Sequence, residues 1–251
     1  MSQQKPIIYI TGGPGCGITD FGKRLAAQFN FYYICLEDCR RTLLEQLHAG
    51  VPWLSDDIRQ CINENREVTS ELYSDYETVP IVIQLYNEII NGTRGWTSSL
   101  AIAIIEEEIS KMNAEEESDV RYRAIMIDGH PLTAGNVSAE VVARYQDRYA
   151  GLIIAISSPA EVAQRRYIDR IKTPSDDEDR FRARIRLVAR VLSEFLKNMS
   201  GNKIYFEYEK NMTMDEAYHE LVVQLREAEV WQRLTKDKTG DKPAKTEDKS
   251  A

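Results

Sequence analysis

The sequence predicts a three-layer α/β fold, a parallel sheet of five strands with helices on both faces. Short apolar runs alternate with longer amphipathic ones along the chain, and several short runs are apolar throughout, as strands buried on both faces must be. The length fits as well. At 251 residues, 43% hydrophobic and 29% charged, the chain can bury one sizeable core carrying small insertions.

The predicted strands are 7–10, 32–36, 124–127, 152–156 and 204–208, each rich in β-branched or aromatic residues. Helical patterns fill the intervals at 19–28, 39–48, 139–149, 159–169 and 179–196. A last long helix is expected at 214–234, with Thr213 as its cap and Asp215 and Glu216 in its first turn. Residues 50–113 break the alternation. They hold helical patterns at 55–65, 81–90 and 98–111 and no strand, which predicts a helical insertion on the sheet and not a second domain. An acidic loop is expected at 115–118. The stretch 235–251 is Lys, Asp and Thr without periodicity, the composition of a disordered charged tail. One domain over 1–234 is the result.

A net charge of -8 argues against nonspecific attraction to nucleic acid or anionic membrane. An anionic ligand would have to be held by a local group of cations and amides. Four cysteines (Cys16, Cys35, Cys39, Cys61) are too few for a disulfide framework in this length. Only three histidines are present and none lies near them, so no zinc site is expected. The first residues carry no apolar signal core, and no run approaches the ~18 apolar residues of a membrane span. A cytoplasmic protein is expected.

The chemistry begins after the first strand. It runs into Thr11-Gly12-Gly13-Pro14-Gly15-Cys16-Gly17-Ile18-Thr19-Asp20 and then a helix. A strand, a glycine-dense turn and a helix N-terminus make a phosphate-binding loop, because glycines let successive N–H groups converge on an anion and the helix dipole favours negative charge there. In G-x-x-x-x-G-K-[ST] the lysine stands at position 18, which here is Ile18. Such a lysine places charge on the β- and γ-phosphates in the transition state, and losing one aligned group costs about 10²–10³ in rate. Lys23 lies more than a turn along the helix. Thr19 occupies the position that supplies a hydroxyl to magnesium. Asp20 either repels a nucleotide phosphate unless a metal sits between them or simply complements the helix dipole, and Cys16 is an inert loop cysteine or a thiol of lowered pKa.

With this loop in place, most of residues 5–232, outside the insertion, resembles the adenylate kinase and UMP–CMP kinase family. The opening Ile-Ile-Tyr-Ile-Thr-Gly-Gly-Pro-Gly-Cys-Gly is similar to the family's first strand and GGPGSGKGT loop. Ala-Ile-Met-Ile-Asp128-Gly129-His130-Pro131 is similar to its [IL]DG[FY]PR motif, and Ser175-Asp176-Asp177 before a helix with Arg184 to its lid (about 170–178) and arginine helix. Asp215-Glu216-Ala217 sits where the family's closing helix begins. The resemblance implies a nucleotide site at Gly12, Gly13, Gly15, Cys16, Gly17, Ile18 and Thr19, with ATP bound as its Mg²⁺ complex. It implies that Arg41 binds an acceptor monophosphate, Asn136 stands at the base-reading position, Thr19 and Asp128 serve the metal, and Arg166, Arg170 and Arg184 clamp the transferring phosphoryl group.

The departures fall at ligand-facing positions. Ile18 replaces the loop lysine, Leu132 the arginine after the Asp-Gly-x-Pro turn, Pro174 a lid arginine, and Leu36-Glu37 the Thr-Gly beside the acceptor nucleotide. The fold-determining glycines and strands are retained while the cations are lost. The expected function is therefore a nucleoside monophosphate kinase-like protein, inactive or severely impaired, that binds nucleotide or meets a protein partner. The alternative is an active ATP-dependent kinase of AMP or CMP/UMP with a rewired phosphate site. A GTPase finds no support, because no Asn-Lys-x-Asp motif is present.

Overall fold

The computed structural model describes residues 5–73, 80–92, 96–117, 121–129, 135–169 and 178–236, without the side chains at 116–117, 135–139 and 180. Its centre is a five-stranded parallel sheet of β1 (Ile7–Gly12), β2 (Tyr32–Cys35), β3 (Ile125–Asp128), β4 (Tyr149–Ser157) and β5 (Asn202–Glu207), in the order β2-β3-β1-β4-β5. Around it lie α1 (Ile18–Phe29), α2 (Leu36–His48), α3 (Asp56–Asn63), α4 (Ile81–Ile90), α5 (Ser98–Glu117), α6 (Gly135–Arg144), α7 (Ala160–Asp169), α8 (Glu178–Asn198), α9 (Met214–Glu227) and α10 (Glu229–Thr235).

The period of two along each strand divides the core. Ile8, Ile10, Met126, Leu152, Ile154 and Ile156 enter one layer, where they meet Phe21 and Leu25 of α1, Tyr167 of α7, Leu221 of α9 and Trp231 of α10. Ile7, Tyr9, Ile125, Ile127 and Ile153 enter the other, against Leu100 and Ile104 of α5, Val141 of α6 and Phe195 of α8. Both faces of the sheet are covered, which is why its strands read as unbroken apolar runs. The insertion brings a small core of its own, with Val51, Leu54, Ile58, Cys61, Ile83 and Tyr86 packed together against Leu43 and Leu47 of α2.

Several boundaries differ from those the sequence predicts. Leu36 is not the end of β2 but the first residue of α2; it is fully buried, so its apolar signal continues past the strand. The helix expected at 139–149 is two pieces, α6 and a 3₁₀ turn at Gln146–Arg148, and Tyr149 already belongs to β4. The single helix expected at 214–234 is broken at Ala228, whose φ of -79° and ψ of 123° are extended. That bend carries Trp231 onto Phe29 and Phe31 in edge-on contacts at 4.9 and 5.5 Å. Residues 115–117 close α5 and are not a loop, and α10 runs through Thr235. Of the lid expected at about 170–178, residues 170–177 lie outside the described residues, as does the part of the expected tail beyond Lys236.

Candidate phosphate site

β1 ends at Gly12 and α1 starts at Ile18, and the chain between them is held in shape by its surroundings. The Cys16 N–H donates to the Gly13 carbonyl across 3.2 Å. Gly15 has a φ of 81°, and a Cβ there would stand 2.0 Å from the Ala163 carbonyl oxygen; a Cβ on Gly12 would stand 2.2 Å from that of Ile156. The turn is thus clamped between α7 and the end of β4, with room for glycine alone. Gly17 caps α1 in the left-handed region with no side-chain hydrogen bond. The first amides of α1 therefore lack a side-chain acceptor, the condition in which a helix N-terminus receives an anion.

Ile18 sits in this turn as a packing residue. It is half-buried against the α1 layer of the core, and its Cγ1 lies 3.2 Å from where a Cβ on Gly12 would stand. The side chain braces the loop from within and presents no charge.

Beneath the first turn of α1, Thr19, Tyr33 and Asp128 form one hydrogen-bonded group. The Thr19 hydroxyl donates to Asp128 Oδ2 at 2.9 Å, and the Tyr33 hydroxyl donates to the same oxygen at 2.6 Å. Gly22 admits the Tyr33 ring, since a Cβ there would be 2.6 Å from the ring edge. Asp128 is only 4% exposed. Burial pushes its carboxyl above the usual carboxylate range, against the pull of hydrogen bonds from Tyr33, Thr19, Cys35 and the Gly129 amide. The same burial, with the Asp128 charge nearby, pushes the Cys35 thiol up to about 12. Among the described residues no three His, Cys, Asp or Glu side chains gather as a metal cage. The donor set of Thr19 and Asp128 fits a hard cation that keeps most of its shell as water and phosphate oxygen, which is the habit of Mg²⁺.

Two cations carried by α1 and α2 are held in ion pairs. Lys23, one turn beyond Thr19, pairs with Asp38 at 3.3 Å, and Arg41 pairs with the same carboxylate at 2.8 Å and with Glu45 at 3.9 Å. Burial raises the Asp38 carboxyl, but Lys23 and Arg41 outweigh it and hold the group below its ordinary value. Arg41 is thus turned along the exposed face of α2. Its neighbour Arg40 turns inward. The Arg40 guanidinium lies 5.8 Å from the ring centroid of Trp96, and its Nε is buried with no hydrogen bond among the described residues. Oε2 of Glu88 is equally unpartnered, while its other oxygen accepts from Thr97. Burial pushes the Glu88 carboxyl up, and Thr97 and Arg40 pull it back.

On the far wall of the loop, Arg166 donates to the Tyr208 hydroxyl and lies 4.8 Å from the centre of that ring. Tyr208 in turn donates to the Cys16 carbonyl at 3.4 Å. Cys16 is buried and its Sγ accepts from Ser158 at 3.6 Å. Arg184 donates to the Tyr167 hydroxyl at 3.4 Å, one helix behind Arg166. Of the residues the sequence singled out, Gly12, Gly13, Gly15, Cys16, Gly17, Ile18, Thr19 and Asp128 come together, with Arg166 against the outer side of the loop. Arg170, Leu132 and Pro174 lie outside the described residues, as does the side chain of Asn136. Tyr33, Asp38 and Arg40 escaped the sequence reading. The signal for Tyr33 was its strand spacing two residues before Cys35 together with a glycine, Gly22, on the neighbouring helix.

No helix among the described residues is long and apolar enough to cross a membrane. No protein-family model matches the sequence, and no curated protein is similar to it by direct comparison. Among solved structures, the crystal structure of TT1252 from Thermus thermophilus is similar with a TM-score of 0.47 and 16% identity, over 90% of this chain and 98% of that one. Shikimate kinase from Acinetobacter baumannii in complex with shikimate is similar with a TM-score of 0.45 and 14% identity, over 89% and 93% of the two chains.

Proposed function

We propose that this chain is a nucleotide-binding relative of the adenylate and UMP–CMP kinases in which phosphoryl transfer is lost or severely impaired, and that it acts as a binding or interaction module. One observation carries the reading. Where the loop lysine would stand, Ile18 is packed against Gly12 and the core, and the next cation along the helix, Lys23, is paired with Asp38. Backbone amides survive such a replacement, so anion binding is retained while the charge needed in the transition state is missing. Thr19 and Asp128 are the residues that would hold Mg²⁺ brought in with ATP, and the ion would neutralise charge on the terminal phosphates.

The test pairs two measurements on the full chain. Thermal-shift titration with Mg·ATP is expected to raise the melting temperature through mass action. A coupled assay with ATP, Mg²⁺ and AMP, CMP or UMP is expected to show no turnover above background. Turnover within about tenfold of the ~1–100 s⁻¹ typical of kinases would overturn the reading.

A second reading, an active kinase with relocated charge, draws on the Arg166–Tyr208–Cys16 chain, which holds a guanidinium against the loop. It requires that turnover be present and that Arg166→Ala abolish it.

A further inference from the structure

We propose that β5 pairs with β5 of a second copy of this chain, antiparallel about a two-fold axis at Tyr205, to join two sheets into one of ten strands. In the sheet order β5 is a terminal strand, and its six residues run against β4 without a bulge or a proline. Natural edges are usually blunted by such devices or by a covering element. Here the Gln224 amide donates to the Tyr205 carbonyl across 3.3 Å, a single side chain standing in for a neighbouring strand.

That contact fixes which backbone groups face outward. Along a strand, the N–H and C=O of one residue point to the same side, and the next residue's point to the other. Tyr205 faces out, so Lys203 and Glu207 do as well; Tyr208, on the opposite parity, donates inward to Ser157 at 3.3 Å. Only odd-numbered residues can therefore form hydrogen-bonded pairs with a new strand. Centring the axis on Tyr205 sets Lys203 opposite Glu207 of the second copy, twice by symmetry, and Tyr205 opposite itself. An axis on Ile204 sets Lys203 opposite Tyr205 and Glu207 opposite Gly201; an axis on Phe206 sets Glu207 opposite Tyr205 and Lys203 opposite Glu209, beyond the end of the strand, so only the axis on Tyr205 pairs both charges within β5. Neither Lys203 nor Glu207 has an ion-pair partner within the described residues.

The surroundings agree. Among the described residues four large apolar or aromatic side chains are exposed, and two of them flank this edge: Tyr205 at 59% on one side and Val223 of α9 at 47% on the other. Val223 lies in a shallow groove with Phe206, Glu220, Gln224 and Glu227. The segment Lys-Ile-Tyr-Phe-Glu is self-complementary in charge and in apolar pattern, as an isologous interface requires. Glu220 and Glu227 would bring carboxylates from both copies to the same groove, so the association is expected to be weak and to strengthen with salt.

Sedimentation velocity of the full chain over about 1–200 µM, the range that reads micromolar association, is expected to show a monomer–dimer equilibrium. Lys203→Glu or Glu207→Lys alone opposes like charges twice and should weaken the dimer about tenfold. The double exchange should restore it, and an equimolar mixture of the two single variants should form a mixed dimer, because each then meets its complement. Tyr205→Pro removes an outward N–H, leaves the β4 ladder intact and should give a monomer with unchanged circular dichroism. A wild-type chain that stays monomeric throughout, or a dimer indifferent to these exchanges, would overturn the proposal.

Discussion

The Thr19 hydroxyl reaches Asp128 Oδ2 at 2.9 Å and so ties the first turn of α1 to the end of β3. Tyr33 shares the same oxygen, and the carboxyl is shut away from water. Its proton is therefore held more tightly in the folded chain than in the unfolded one. Below the unfolded value of about 3.9 both states are protonated and this group's contribution is at its fullest. As pH rises toward the folded value, the unfolded state binds fewer protons and the contribution is lost. Urea denaturation of the wild type and Asp128→Asn from pH 4 to 8 should show the wild type's relative stability falling with pH. A difference that stays flat would contradict the assignment.

Asp38 neutralises two cations at once. Asp38→Asn should release Lys23 and Arg41 and tighten binding of Mg·ATP or tripolyphosphate by about two- to fivefold, the scale of an exposed ion pair. Isothermal titration at low salt reads the gain, and it should vanish near 0.5 M salt, where the screening length is about 4–5 Å.

Ile18→Lys exchanges hydrocarbon packing for charge. Losing a half-buried side chain should cost about 1 kcal/mol of stability, seen as a lower melting temperature without ligand. The shift produced by Mg·ATP should grow in the same variant. If it does not, the loop lysine is not the limiting loss.

Gly15→Ala places a methyl group against the Ala163 carbonyl in a left-handed backbone conformation. We expect a destabilisation of about 2–4 kcal/mol, among the larger single-residue effects, together with loss of any nucleotide-induced shift. Chemical denaturation and thermal-shift titration measure the two separately.

The sheet was legible because burial on both faces leaves runs such as Ile7–Ile10 and Leu152–Ile156 apolar at every position. The loop was legible because only glycines fit at Gly12 and Gly15. The break at Ala228 was not, since Ala and Glu both favour helix and the cause is distant: the fit of Trp231 between Phe29 and Phe31. Arg41 looked like the ligand-facing arginine of α2, yet a carboxylate three residues earlier draws it outward, while Arg40 finds the Trp96 face. Spacing identifies the helix that carries a cation; the partners it meets in three dimensions decide where the cation points.

The bend between β1 and α1 owes its curvature to Ala163, Ile156 and Ile18, all parts of the protein itself. An arriving anion would find a finished mould, so it would dock quickly and leave without disturbing its host.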